Sequence, residues 1–224
     1  MVKVRHPTAS TWNLRWVRTD VPGSEIVAID TRAGLWATGS QHAIDPVPYS
    51  LNYELWVDEV GRTTRLLARA EGATWSRTID LERADDGWMC QANAEGNPNL
   101  AANDGVRTRE PAPPGVVDAG PLRAAVDVDI GGSPFTNSLP VRRLGLLEAE
   151  PGLEVELVSA WVLPPTLEVV ASPQTYTVVG DRRIRYGDAA TGAEVHYDPG
   201  GWVDEYPGLA RRAAVPRSGI LSRL

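Results

Sequence analysis

The sequence predicts a mainly β protein with one α-helix, and three observations support that fold class. Apolar residues recur at every second position in several segments, which is the period of a strand with one buried face. The 224 residues include 21 glycines and 18 prolines, enough to divide the chain into short elements. Only one segment carries helix signals. Since 42% of the residues are hydrophobic and 23% charged, the composition is globular, and we expect one domain over 1–224.

The clearest alternation runs from Tyr49 to Asp58 and predicts a half-buried strand. The residues that it places on one face are Tyr49, Leu51, Tyr53, Leu55 and Val57. The same period recurs between Trp75 and Leu81, with Arg77 on the apolar face, and again from Leu122 to Ile130. Most other strand candidates are bounded by turn-forming residues; they are Glu25–Asp30, Thr63–Ala70, Leu153–Val162, Leu167–Val170, Gln174–Val179, Arg182–Tyr186, Ala193–Tyr197 and Trp202–Tyr206.

Two segments interrupt the predicted strands. The helix candidate is Asn137–Leu147, where Asn137 or Ser138 can act as the N-cap and Pro140 suits the first turn. The segment 93–120 is rich in glycine, proline, asparagine and alanine and has no period, so we expect a mobile surface loop there. The tail 209–224 is expected to form a frayed helix or an arm on a partner subunit.

Charge and composition argue against several classes of function. The net charge is −7 and Lys3 is the only lysine, so the basic runs that bind nucleic acid are missing. One cysteine, Cys90, and three histidines far apart in sequence predict no disulfide, no metal site and no cofactor. No stretch approaches the ~20 apolar residues of a membrane span, and the N-terminal MVKVRHPTASTW lacks a signal-peptide core. We therefore expect a cytoplasmic protein that is not an integral membrane protein.

The densest group of polar residues is the segment 127–146, DVDIGGSPFTNSLPVRRLGL. A strand places Asp127 and Asp129 on one face, a turn follows, and a helix then presents Arg142 and Arg143. The carboxylates could bind sugar hydroxyls while an arginine binds an anion. Alternatively, the arginines are counterions that hold the helix on the sheet, which the spacing alone favours. The aspartates could also be the acid and base of a glycosidase, since their spacing permits that separation.

Two further polar and aromatic groups lie toward the C-terminus. The strand after the Asp-Pro-Gly-Gly turn places Trp202, Asp204 and Tyr206 on one face, an arrangement suited to a sugar ring. The same residues could instead be core, with Asp204 satisfying an amide or an arginine. The other group is the segment 174–177, which contains Gln174 and Tyr176.

The segment 127–146 resembles the signature of a bacterial family named putative glycolipid-binding, formerly a domain of unknown function. The family pattern, Asp-x-Asp-Leu followed by Pro-Phe-Thr-Asn-Thr-Leu-Pro-Ile-Arg-Arg-Leu, is matched by Asp127, Asp129, Ile130 and Pro134 to Leu144. Matches continue in order at Trp161-Val162, Gln174-x-Tyr176-Thr177 and Val203 to Leu209, and upstream at Tyr53 to Asp58. The resemblance covers nearly the whole chain, with 93–120 as an insertion.

This resemblance implies a fold, an assembly and a ligand. The implied fold is an extended antiparallel sheet curled as a partial barrel around a single α-helix, remotely similar to lipoprotein carriers, and paired as a homodimer. The implied function is non-catalytic binding of a glycolipid or carbohydrate through an acidic pocket, in glycolipid or cell-envelope metabolism. The ligand-binding residues that the family pattern indicates are Asp127, Asp129, Thr136, Asn137, Arg142, Arg143, Gln174, Tyr176, Asp204 and Tyr206.

Two other functions stay open at this point. A hydrolase acting on a sugar conjugate would use Asp127, Asp129 or Asp204 as acid and base, and it needs a water-accessible carboxylate pair in a cleft. An architectural or interaction protein would bury the aspartates against arginine, so that removing one partner would be strongly destabilising. Carboxylates that are fully buried and paired would therefore count against the acidic pocket.

Overall fold

The computed structural model describes residues 11–98, 112–187 and 191–214. In these ranges fifteen strands form one sheet. The strands up to the predicted loop are β1 (Thr11–Arg18), β2 (Gly23–Asp30), β3 (Leu35–Ala43), β4 (Tyr49–Val57), β5 (Thr63–Glu71), β6 (Ser76–Ala84) and β7 (Gly87–Glu95). The later strands are β8 (Gly115–Val116), β9 (Asp127–Ile130), β10 (Glu154–Leu163), β11 (Glu168–Gly180), β12 (Arg183–Tyr186), β13 (Ala193–Tyr197), β14 (Val203–Tyr206) and β15 (Ala210–Arg212). The helical elements are α1 (Ala119–Leu122), α2 (Ser138–Leu144) and a 3₁₀ turn (Leu146–Glu148).

The sheet is mostly antiparallel, which confirms the predicted fold class. Its strand order is β7-β6-β5-β4-β3-β2-β1-β15-β14-β13-β12-β11-β10-β9, and β8 pairs with β11 beside this path. Each strand from β1 to β7 pairs with the next in sequence, so the first half is a meander. Residue Trp16 of β1 lies opposite Arg212 of β15, and this pairing joins the two halves. Only the pairs β9–β10 and β8–β11 are parallel among the described strands.

The sheet curls until its two ends approach each other, without a strand ladder between them. Trp88 of β7 donates from its indole N–H to the carbonyl of Ala125 at 3.2 Å. The amide of Val128 in β9 donates to Thr63 Oγ1 of β5 at 3.2 Å. Side-chain hydrogen bonds therefore hold the curl as a partial barrel that strand pairing does not close.

Most of the predicted strands are confirmed, and the pattern of burial explains why. All five residues assigned to one face of the strand at 49–58 are buried, as is Arg77 on β6. Five strands were not predicted, namely β1, β3, β7, β8 and β15. In β3 the inward positions include Gly39 and Gln41, which break the apolar alternation, and β7 is largely exposed beyond Trp88.

The two strands predicted at 167–170 and 174–179 are one strand, β11, which runs through Pro173. A proline lacks the N–H that a ladder needs, so it is tolerated where one edge of a strand is unpaired. On its second edge β11 pairs with β8 at Glu168 and Val169 and with β12 from Tyr176 onward. Pro173 lies between these two ladders, and its missing N–H therefore breaks no pairing.

The strand predicted from Leu122 to Ile130 is wrong over its first half. Residues 119–122 form α1, and only Asp127–Ile130 make β9, with all four residues buried. The loop predicted at 93–120 contains the end of β7, the short β8 and the start of α1. Residues 99–111 of that loop, and 215–224 of the predicted tail, lie outside the described residues. The tail prediction is wrong at 210–212, which form β15 between β1 and β14 and not a helix or an arm.

The predicted helix is α2 together with the 3₁₀ turn, and the expected single helix is joined by the four-residue α1. Asn137 occupies the N-cap position, but its side chain makes no capping hydrogen bond.

Before α2, the fully buried Phe135 stacks between Tyr53 of β4 and Trp202, with ring centroids 6.4 and 5.9 Å apart. Protein side chains therefore fill the interior of the curl at this point. In the described part of the chain, no helix has the length and apolar character needed to span a membrane.

Candidate functional site

Asp127 and Arg143 form a buried ion pair between β9 and α2. The guanidinium donates from Nε and Nη2 to the two carboxylate oxygens, at 3.1 and 2.6 Å. The Asp127 side chain is 1% exposed and that of Arg143 is 15% exposed. Burial raises the pKa of Asp127, while the hydrogen bonds and positive charge of Arg143 oppose that rise. This pair holds α2 against the sheet, as the counterion interpretation predicted for Arg143 and Asp127; among the described residues, neither Arg142 nor Asp129 has an ion pair.

Asp129, two residues along β9, is buried without an ion pair. Its Oδ1 accepts from Thr136 Oγ1 at 3.0 Å, and its Oδ2 accepts from Gln174 Nε2 at 2.7 Å. The Gln174 carbonyl in turn accepts from Ser159 Oγ at 2.9 Å and from the Tyr176 hydroxyl at 3.0 Å. Burial raises the pKa of Asp129 to about 6, because neutral donors offset only part of the desolvation.

Sequence reasoning missed a third buried carboxylate, Glu25 of β2. Its Oε1 accepts from the Tyr53 hydroxyl at 2.7 Å and from Ser133 Oγ at 2.6 Å, and its Oε2 accepts from the Phe135 amide at 3.4 Å. Burial raises the pKa of Glu25 to about 7. A signal was present, since Glu25 shares the period-2 apolar face of its strand with Val27 and is a charged residue there.

Gln41 lies directly opposite Glu25 in the β2–β3 ladder. It is fully buried and donates from Nε2 to the Gly131 carbonyl at 3.2 Å, but its Oε1 has no hydrogen-bond partner. A buried carboxyl group beside a free acceptor can donate to that acceptor when it is protonated. Glu25 and Asp129 thus hold the segment 133–136 from two sides through uncharged donors.

The remaining predicted residues on this segment are also internal. Thr136 Oγ1 accepts from the Ile130 amide at 3.1 Å besides donating to Asp129. Asn137 is 6% exposed, its Oδ1 has no partner, and its carbonyl accepts from the Tyr197 hydroxyl at 3.4 Å. The structure therefore brings together Asp129, Thr136, Gln174 and Tyr176 in a buried polar network, with Asp127, Asn137 and Arg143 beside it.

Residues Asp204 and Tyr206 lie apart from this network. The Asp204 side chain is 59% exposed and its Oδ1 is 3.7 Å from Arg212 Nε. Tyr206 is half-buried and packs edge-on against Tyr186, with the ring centroids 6.1 Å apart. The predicted common face with Trp202 is wrong, because Trp202 precedes β14 and is fully buried while Asp204 faces solvent.

A surface cavity of about 340 Å³ lies where α2 meets the β2–β3 and β4–β5 turns. We call it the α2 cavity, and it contains two of the predicted residues, Arg142 and Arg143. Its apolar lining includes the buried side chains Leu35, Val57 and Leu139, and its charged lining is Asp58, Glu59, Arg142 and Arg143. The cavity therefore combines an apolar surface with charges of both signs, where the sequence had predicted an acidic pocket.

Comparisons with known proteins agree with this fold. A family model described as putative glycolipid-binding matches residues 13–212. The chain belongs to this family. A crystal structure of a DUF1089 family protein from Pseudomonas aeruginosa has a TM-score of 0.62 and 24% identity to this chain, covering 95% of this chain and 97% of that one. That similarity shows a shared fold, and no curated protein matches the chain.

In this member of the putative glycolipid-binding family, most of the signature segment is internal. Residues 133–141 are buried, and exposure returns only at the arginines of α2. The signature therefore consists of a buried segment, 133–141, followed by the arginines of α2, which are less buried and line the α2 cavity.

Proposed function

We propose that this protein binds the sugar head group of a glycolipid, or a free sugar of the same chemistry, in the α2 cavity without making or breaking bonds. The observation that supports this proposal is the lining of the cavity, where apolar side chains lie beside guanidinium and carboxylate groups. Leucine and valine side chains can pack on the C–H face of a pyranose ring. Carboxylates accept and guanidinium groups donate hydrogen bonds to its hydroxyls.

The size of the cavity supports a head group as the ligand. Its volume of about 340 Å³ is near the lower end of the range for small-molecule sites, roughly 300–1,000 Å³. The aromatic stack of Tyr53, Phe135 and Trp202 fills the interior of the curl where an acyl chain would otherwise lie. We therefore expect the lipid tail of a glycolipid to stay outside the protein.

Burial of the signature aspartates favours binding over hydrolysis. A glycosidase needs two carboxyl groups that reach the substrate and a water molecule. Asp127 is engaged by Arg143, and Asp129 by Thr136 and Gln174, and both side chains are buried. On this proposal they position α2 and the segment before it, and they do not touch the ligand.

The experiment measures head-group binding by calorimetry and by thermal shift. Monosaccharides and glycolipids in nanodiscs that carry the same sugars are titrated into the wild type, Glu59→Ala and Glu54→Ala. Glu59 lines the cavity, whereas Glu54 lies on the outer face of β4 and serves as the matched control. A saturating ligand at 100 times its Kd should raise stability by about 2.7 kcal/mol.

We expect Glu59→Ala to weaken about tenfold the binding of the head group that the wild type binds most tightly, as for one lost hydrogen bond to a charged group. Glu54→Ala should leave that affinity unchanged. Equal affinity for the free sugar and its nanodisc form would assign recognition to the head group alone. A panel with no binder, or a loss caused equally by Glu54→Ala, would refute the proposal.

A further inference from the structure

The two arginines at the α2 cavity differ in whether their charge is neutralised. Arg143 makes a two-point contact with Asp127, so its charge is compensated inside the protein. Arg142 makes no ion pair among the described residues. Two carboxylates, Asp198 and Glu148, attract it from a longer distance, and Asp198 pairs directly with Arg212 at 2.5 Å. The side chain of Arg142 is exposed, and one positive charge is therefore left at the cavity edge.

Although it has no counterion, the Arg142 side chain is held in place. Its guanidinium carbon lies 4.0 Å from the centroid of the Trp202 ring, and Nη1 donates to the Gly200 carbonyl. The next residue, Gly201, has a φ of +78°, and a Cβ there would lie 2.9 Å from Cγ of Arg142. Glycine at this position therefore leaves room for the arginine to lie along the turn.

A guanidinium has five N–H donors, and one of them serves the protein in this arrangement. An arginine that is fixed by stacking loses less side-chain entropy when it binds a ligand. The remaining donors are suited to a planar or tetrahedral oxyanion, because such an acceptor can form paired hydrogen bonds with arginine.

We infer that Arg142 makes the α2 cavity selective for a sugar that carries one anionic group, a carboxylate or a phosphate. This inference rests on the proposed function, because it names the ligand class of the same cavity. The net charge of −7 repels anions at long range. Selectivity must then come from short-range contact with this guanidinium, and added salt should weaken it.

The test compares glucose, glucuronate and glucose 6-phosphate, with inorganic phosphate as a fourth titrant. Binding to the wild type, Arg142→Gln, Arg142→Lys and Arg32→Gln is measured by calorimetry at two salt concentrations. Arg32 is the matched control, because it is an exposed arginine on the β2–β3 turn that pairs with Asp30 and does not line the cavity. A urea melt of each variant checks that it folds.

We expect one or both anionic sugars to bind at least tenfold more tightly than glucose, with a smaller preference at high salt. Arg142→Gln should remove that preference, Arg142→Lys should keep part of it, and Arg32→Gln should keep all of it. Glucose that binds as tightly as both anionic sugars would overturn the inference while leaving the proposed function intact. A preference that survives in Arg142→Gln, or inorganic phosphate that binds as tightly as the sugars, would also overturn it. Failure of every sugar would instead count against the proposed function.

Discussion

Two regions of the interior bury carboxylates in different ways. Asp127 is paired with a guanidinium, whereas Asp129 and Glu25 accept hydrogen bonds from hydroxyl, amide and backbone N–H donors, and Arg18 attracts Glu25 only from a longer distance. Asp127 and Asp129 are two residues apart on one strand, so the difference comes from what each faces. The Asp127 side chain meets α2, and that of Asp129 meets the polar side of β11.

The comparison separates two ways in which a buried carboxyl group affects the stability of the folded state: through the charge of a partner, or through its own protonation. A buried ion pair is strongly destabilised when one partner is removed, because the other charge is left without compensation. A buried carboxyl group among neutral donors loses stability when it ionises, and its raised pKa is the sign of that loss. The two classes should therefore respond differently to mutation and to pH.

The largest effect is expected from Arg143→Met, which keeps the apolar part of the side chain and removes the charge. Asp127 would then be a buried carboxylate without a counterion, and we expect a loss of about 3–5 kcal/mol in the free energy of unfolding. Urea denaturation at pH 7 measures this loss. The double variant Asp127→Asn/Arg143→Met should recover a large part of it. A loss below about 1 kcal/mol would show that the pair behaves as a solvated surface pair.

The next effect concerns Glu25 and depends on pH. Its folded pKa of about 7 lies above the ordinary value of 4.5, so the folded state binds the proton more tightly. The stability from this group is complete below its unfolded pKa and is lost as the pH rises through about 7. Glu25→Gln lacks this titration, and its added amide can donate to the free Gln41 Oε1.

We therefore expect the stability of the wild type relative to Glu25→Gln to fall by about 3 kcal/mol between pH 4 and pH 8. Urea denaturation across this range, with Glu54→Gln on the outer face as control, measures the fall. Parallel pH profiles for wild type and Glu25→Gln would show that Glu25 has an ordinary pKa.

A smaller effect separates two substitutions of Asp129. Asp129→Ala removes the acceptor of Thr136 Oγ1 and Gln174 Nε2, which should cost about 1–3 kcal/mol at pH 7. In Asp129→Asn the Gln174 amide can turn over, so that its oxygen accepts from the new amide, and we expect a loss below about 1 kcal/mol. Equal losses in the two variants, measured by urea denaturation, would show that the charge of Asp129 is needed.

Much of the fold was predictable from the sequence because strands such as β4 and β6 bury one face of alternating residues. Alternation identified β4 from its five inward residues and placed Arg77 on the apolar face of β6. It failed just before β9, where Leu122, Ala124 and Val126 continue the alternation of the strand in the sequence, but 119–122 form α1 and the strand begins only at Asp127. It also failed at β3, where Gln41 lies inside the sheet.

The candidate site was predictable only in part. The spacing of the signature correctly placed Arg143 of α2 beside Asp127 of β9. It was wrong for Arg142, which lies on the Trp202 ring and donates to the Gly200 carbonyl. Spacing could not tell whether the aspartates face solvent, because that depends on β11 and α2 packing over them from elsewhere in the chain. The cavity residues Asp58 and Glu59 lie in a turn far from the signature, and only the fold brings them beside it.

The ladder between β1 and β15 has a consequence for how the chain folds. Pairing Arg18 with Ala210 closes a loop of about 190 residues, which costs about 3 kcal/mol more chain entropy than a short hairpin. Each pairing from β1 to β7 closes only a hairpin, and such local contacts are the ones that favour fast folding. The meander thus needs only pairs between strands that are consecutive in sequence. The C-terminal strands join it by the pairing of β15 with the edge of β1.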